Sequence, residues 1–207
     1  MTVPPLSFVH RFQPGSNASP PLLLLHGTGG DEADLLPIGA LVAPGAALLS
    51  PRGQVVENGM PRFFRRLAEG VFDEEDLARR VDDLAGFVTE ARARYGLAAP
   101  VALGLSNGAN VAAAILLARP GVLAGAILLR PMPPFRTPPR PDLGGTPVLV
   151  LSGALDPLVP DATARRLVED LGLAGAAVEH RVLPSGHGLS QADATLARAW
   201  FEGRTAG

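Results

Sequence analysis

Seven short apolar runs punctuate this chain, and the stretches between them carry apolar positions at helical spacing. The runs are 7–12, Leu22–Leu25, 46–50, Val101–Leu105, Gly125–Leu129, 148–151 and 178–183. Residues 7–12 alternate, which predicts an edge strand. Leu22–Leu25 is four leucines set between Pro20-Pro21 and His26-Gly27. Continuous apolar runs, rather than clean alternation, are the pattern of strands buried on both faces of a parallel sheet.

Between the runs, Glu74–Tyr95 is the clearest helix. Asp73 and Glu74 suit its first turn, and Leu77, Val81, Leu84, Phe87, Val88 and Ala91 give one apolar face. Further helices are expected at 31–41, Asn107–Ala118, 161–171 and 190–201. Strand and helix alternate throughout, so the fold class is α/β: a doubly wound, mostly parallel sheet of about seven strands with helices on both faces. Residues 131–141 are Pro-rich but read as a surface loop, because the same alternation continues on both sides. The whole of 1–207 is expected to be one domain.

Composition narrows the chemistry. Apolar residues are 47% and charged residues 18%, enough for a core and too little charge for a disordered chain. The net charge of −2 points to no nucleic-acid or anionic-membrane partner. All 18 basic residues are Arg, which removes Schiff-base and Ser-Lys chemistry. Cysteine is absent, so thiolate catalysis and Cys-ligated metals are excluded. No basic stretch followed by an apolar core opens the chain, and no run is long enough to span a membrane, so a cytoplasmic protein is expected.

The sharpest motif is Gly104-Leu105-Ser106-Asn107-Gly108. Gly-x-Ser-x-Gly between a buried strand and a helix is a nucleophile elbow: the serine is held in a strained turn, and the glycines let neighbouring backbones approach. A serine hydroxyl needs a base. Of His10, His26, His180 and His187, His10 and His180 lie within strand-like runs. His187 lies in Pro184-Ser185-Gly186-His187-Gly188, a loop after the last strand, where such sheets place their sites. Asp156 follows the 148–151 run and is the candidate to orient that histidine, with Asp161 as the weaker alternative. The order Ser106, Asp156, His187 is the order of the α/β-hydrolase fold.

Three segments carry a resemblance to a known family: His26-Gly27-Thr28-Gly29-Gly30-Asp31-Glu32, Gly104-Leu105-Ser106-Asn107-Gly108-Ala109-Asn110, and Gly153-Ala154-Leu155-Asp156 with Gly186-His187-Gly188. Together they resemble the phospholipase/carboxylesterase family of small α/β-hydrolases, which includes carboxylesterases and acyl-protein thioesterases and is related to dienelactone hydrolases. Pro51-Arg52-Gly53, Glu57-Asn58-Gly59 and Arg62-Phe63-Phe64 are most similar to a bacterial branch, some of it linked to quinone stress. The resemblance implies an oxyanion hole from the backbone N–H groups of Thr28 and Asn107, and a homodimer. Acyl-protein thioesterases commonly carry Gln where this chain has Asn107, and dienelactone hydrolases use a Cys that this chain lacks.

The segment between Leu129 and Val148 is too short for a helical cap domain. An open site bordered by Met132, Phe135 and Arg62-Phe63-Phe64 is expected, suited to short acyl or small aromatic esters. Phe63 and Phe64 are equally well explained as core. Glu57 and Arg62 are candidates either to bind a polar substrate group or to pair with each other. No cofactor fingerprint and no metal-ligand spacing is present, and the expected partner is a small-molecule ester. Two alternatives stand beside the esterase reading: a thioesterase or lysophospholipase acting on long acyl chains, and a non-catalytic binding protein of the same fold.

Overall fold

The computed structural model describes residues 5–16 and 19–205. Seven strands form one sheet: β1 (His10–Gln13), β2 (Leu22–Leu25), β3 (Leu48–Pro51), β8 (Val101–Leu105), β9 (Gly125–Leu129), β10 (Pro147–Gly153) and β11 (Ala177–Leu183). Two small antiparallel hairpins, β4 (Val55–Glu57) with β5 (Met60–Arg62) and β6 (Arg66–Ala68) with β7 (Val71–Phe72), lie between β3 and the long helix. The helices are α1 (Leu36–Val42), α2 (Glu74–Tyr95), α3 (Asn107–Ala118), α4 (Asp161–Leu173) and α5 (Gln191–Thr205).

The sheet order is β1-β3-β2-β8-β9-β10-β11, with only β1 antiparallel to its neighbour. From β2 the chain moves outward to β3, then returns to place β8 on the other side of β2. That reversal is a switch point in the strand order, and open α/β sheets bind ligands beyond the carboxyl ends of the strands at such a point.

Helices cover both faces. Leu23 and Leu25 of β2 pack into a core with α2, α3 and α4, whereas Leu22 and Leu24 pack against α1 and α5. The pleat sends successive side chains to opposite faces, so one strand of identical residues serves two cores. Burying each such leucine contributes about 1.5–3 kcal/mol. Helix α2 is well terminated: Asp73 accepts from the Asp76 N–H at 3.0 Å, and Gly96 takes φ 66° at the C-terminus.

Several expected boundaries shift. Residues 7–12 give way to a strand at His10–Gln13, while Phe8 turns inward onto Phe87 at 5.0 Å between ring centroids. The helix expected over 31–41 begins only at Leu36, because Pro37 presets its first turn and residues 31–35 form turns instead. The expectation of burial on both faces fails at β11, which is the sheet edge and carries half-buried and exposed Glu179, His180 and Arg181. No helix or strand interrupts residues 130–146, so among the described residues no cap domain is inserted between β9 and β10. Among the described residues no helix is long and apolar enough to cross a membrane.

Candidate active site

Ser106 stands between β8 and α3 with φ 51° and ψ −113°, a left-handed backbone for a residue with a side chain. Such a conformation costs about 1–3 kcal/mol and persists only where neighbours enforce it. Here they do. The Ser106 N–H donates to Leu129 O at 2.8 Å. A Cβ on Gly108 would lie 1.9 Å from Leu25 O, and one on Gly104 would lie 2.6 Å from the Gly108 carbonyl carbon. Only glycine permits this approach, and it brings the start of α3 against the end of β2.

The loop after β11 carries His187 to the serine. His187 Nε2 lies 3.0 Å from Ser106 Oγ, and His187 Nδ1 lies 2.8 Å from Asp156 Oδ2. Asp156 Oδ1 accepts from the N–H groups of Leu158 at 2.8 Å and Val159 at 3.1 Å. The Asp156 side chain is wholly buried while that of His187 is 26% exposed. A carboxylate accepts, so His187 Nδ1 donates and Nε2 is left to accept the serine proton. Asp161, the alternative acid, sits instead at the start of α4 and pairs with Arg165 at 2.6 Å.

Thr28 follows β2 and Asn107 follows the serine, on neighbouring strand ends. Among the described residues neither backbone N–H has a hydrogen-bond partner. The loop bearing Thr28 is tied to the β4–β5 hairpin: Gly29 N–H donates to Pro61 O at 3.0 Å, and Arg62 Nη1 donates to Thr28 Oγ1 at 2.9 Å. Asn107 Oδ1 accepts from Phe63 N–H at 2.8 Å, and Asn110 Oδ1 from Met132 N–H at 2.7 Å. The two asparagines thus hold the segments on either side of the serine.

The remaining candidates divide. Arg62 and Glu57 pair with each other at 3.1 Å, and Arg66 also bonds Glu57 at 3.0 Å. The hydrogen bond from Arg66 and the charge of Arg62 hold the Glu57 carboxyl below its ordinary range, whereas burial lowers the Arg62 guanidinium. Phe63 and Phe64 are buried core side chains rather than walls of an open site; Phe63 packs on His26 and Phe64 on Phe72. Met132 and Phe135 line a groove of about 330 Å³ with Phe72, Glu74, Thr163 and Arg166, and none of Ser106, Asp156 or His187 lines it.

His26 has a supporting position. Its Nδ1 donates to Gly27 O at 2.7 Å and its Nε2 accepts from Gly53 N–H at 2.9 Å. Burial lowers its pKa, in keeping with the neutral ring that this bonding needs. Sequence reasoning missed Arg130 and Asp193, a fully buried ion pair at 2.8 Å beneath the His187 loop. The available signal was an arginine directly after the buried run Gly125–Leu129 and directly before a proline.

No family model matches the chain. Individual proteins do. A protein of Bacillus subtilis (strain 168) named "Putative hydrolase MhqD" is 45% identical over 195 residues, covering 93% of this chain and 97% of that protein. The crystal structure of a Bacillus cereus carboxylesterase is 44% identical with a TM-score of 0.93, over 95% of this chain and 94% of that one. A carboxylesterase from Mesorhizobium loti is 36% identical with a TM-score of 0.91, over 96% of each chain. With this degree of identity across almost the whole length, and with a strained strand-to-helix turn at Ser106 beside the reversal of a mostly parallel sheet, the chain belongs to the phospholipase/carboxylesterase family of small α/β-hydrolases, enzymes that hydrolyse carboxylic esters.

Proposed function

We propose that this protein is a serine carboxylesterase acting through an acyl-enzyme, with Ser106 as nucleophile, His187 as general base and acid, and Asp156 as the group that orients the imidazole. The observation that carries this reading is the continuous hydrogen-bonded series from Ser106 Oγ to His187 Nε2 and from His187 Nδ1 to Asp156. Ser106 Oγ attacks the ester carbonyl as its proton passes to Nε2. The carbonyl oxygen takes up the negative charge, and the N–H groups of Thr28 and Asn107 stabilise it. Collapse of the tetrahedral intermediate expels the alkoxide, which receives the proton from Nε2. Water then repeats the sequence on the acyl-serine, and the acid leaves.

Fixed N–H dipoles interact more strongly with the developing oxyanion than with the neutral carbonyl, and losing one costs on the order of 10²–10³ in rate. The left-handed Ser106 backbone and the position of Asn107 at the start of α3 suit this role. With no helix or strand over residues 130–146, little encloses a long acyl chain, so short acyl or small aromatic esters are the proposed substrates.

The test is hydrolysis of p-nitrophenyl acetate by the native protein and by Ser106→Ala. The variant is expected to lose roughly 10⁶ in kcat while keeping its fold. Full activity in folded Ser106→Ala would refute the mechanism. A series of esters from acetyl to palmitoyl is expected to fall in kcat/KM with length; a maximum at palmitoyl would favour a long-chain thioesterase or lysophospholipase.

A further inference from the structure

Arg130 directly follows β9, with no solvent exposure and with φ 55°, a left-handed conformation that only Asn58, Ser106 and Arg130 share among the described non-glycine residues. Its guanidinium runs beneath the loop that carries His187. Nε donates to Gly186 O at 2.9 Å, and Nη2 donates to Gly188 O at 3.3 Å and to Ser185 Oγ at 3.0 Å. Nη1 donates to Leu151 O at 3.2 Å, and the two Nη atoms each lie 2.8 Å from an oxygen of Asp193. Asp193, in the first turn of α5, is itself fully buried and accepts from Ser190 N–H at 2.8 Å and Ser190 Oγ at 2.7 Å.

Gly186 and Gly188 are the two residues that flank His187. One planar, rigid group therefore grips the backbone on both sides of the histidine and anchors it to β10 and to α5. A buried ion pair is weak evidence of a stabilising role, since well-packed apolar residues often stabilise as well. What apolar residues cannot reproduce is the fork of donors aimed at the two carbonyls that flank His187. The strained backbone that delivers the fork is consistent with a geometric task.

Resting on the reading of Ser106, Asp156 and His187 as the reacting groups, we infer that Arg130, clamped by Asp193, is a positioning residue that sets the placement of the His187 imidazole between serine and aspartate. It touches no substrate, and its effect passes through the carbonyls of Gly186 and Gly188.

The experiment compares Arg130→Lys and the double variant Arg130→Met/Asp193→Leu with the native protein and Ser106→Ala, using the full chain. The double variant leaves no buried charge unpaired and keeps the question open to test if the lysine variant folds poorly. Circular dichroism and thermal melting report the fold. Kinetics with p-nitrophenyl acetate separate kcat from KM, and proton NMR follows the downfield Nδ1–H resonance of His187. A displacement of about 1 Å in a catalytic group can lower the rate about 100-fold. Folded variants are expected to lose kcat on that scale with KM little changed, and to lose or shift the Nδ1–H resonance. A folded double variant with native kcat and a native resonance would overturn the inference. Activity in Ser106→Ala would refute the functional reading instead, and the resonance alone would then decide whether Arg130 holds the histidine.

Discussion

Asp156 shows how much one oxygen atom decides. Oδ1 is occupied by the N–H groups of Leu158 and Val159, so Oδ2 alone meets His187 Nδ1. Asp156→Asn would keep its oxygen on those two donors and turn its amide toward the imidazole. An amide donates, so His187 would be forced into the other tautomer, with its proton on Nε2 facing Ser106. A loss of about 10⁴ in kcat with an unchanged melting temperature is expected, measured by ester kinetics and calorimetry. Ser106, Asp156 and His187 were legible along the chain because each follows a strand-like run in an order the fold imposes. Arg130 and Asp193 were not: they meet across 63 positions, and their charges fall within segments that otherwise read as a strand end and a helix. The glycines of the elbow are a middle case, visible as a motif but explained only by the contact of Gly108 with Leu25 O.

At the scale of elements, the β4–β5 hairpin is the feature that periodicity could not reach. Its three-residue strands are too short to display alternation, and the stretch reads as a Gly-rich loop. The signal present was Asn58-Gly59, both left-handed at φ 52° and 79°, the dipeptide that favours a type I′ turn. The hairpin bears on the site through Arg62, which donates to Thr28 Oγ1 and to Phe64 O while pairing with Glu57. Arg62→Gln is expected to loosen the Thr28 loop and reduce kcat, up to the 10²–10³ that loss of one oxyanion donor costs. Parallel measurement of kcat, KM and melting temperature checks this: equal kcat in a folded variant would separate the hairpin from catalysis. Helix α2 matches its expected bounds because apolar spacing and its Asp73 and Gly96 caps agree, whereas α3, buried all round and without a side-chain cap, is bounded by the strained turn at Ser106 and by Arg119-Pro120-Gly121. Helix α1 departs from its expected bounds, because Pro37 determines its start.

At the scale of the molecule, the buried His26 and the half-buried His180 make stability depend on pH. Burial lowers the pKa of both His26 and His180, and His180 Nε2 also lies 2.5 Å from the buried Ser152 hydroxyl. In the unfolded chain each binds its proton near pH 6.5, whereas the folded protein resists protonation until lower pH. The unfolded state therefore holds more protons in that window, and stability falls as pH drops below about 6.5 through the folded-state values. Melting temperature is expected to be flat above this point and to decline below it, with a shallower decline in His26→Gln, whose amide oxygen can still accept from Gly53 N–H; an equal decline in the variant would exclude His26. The order of strands within the sheet had no trace in the sequence, since runs of apolar residues do not say which neighbour they meet. The leucine run of β2 makes the point most sharply. Shifted by one residue, Leu22–Leu25 would present leucine to both cores as before, so the strand is a ruler without graduations. Its alignment is read off its ends, where Leu22 N–H bonds Ala47 O and Leu25 O admits only the bare Cα of Gly108. The turn that bends the backbone at Ser106 is thus also the stop that keeps β2, an interior strand, from sliding.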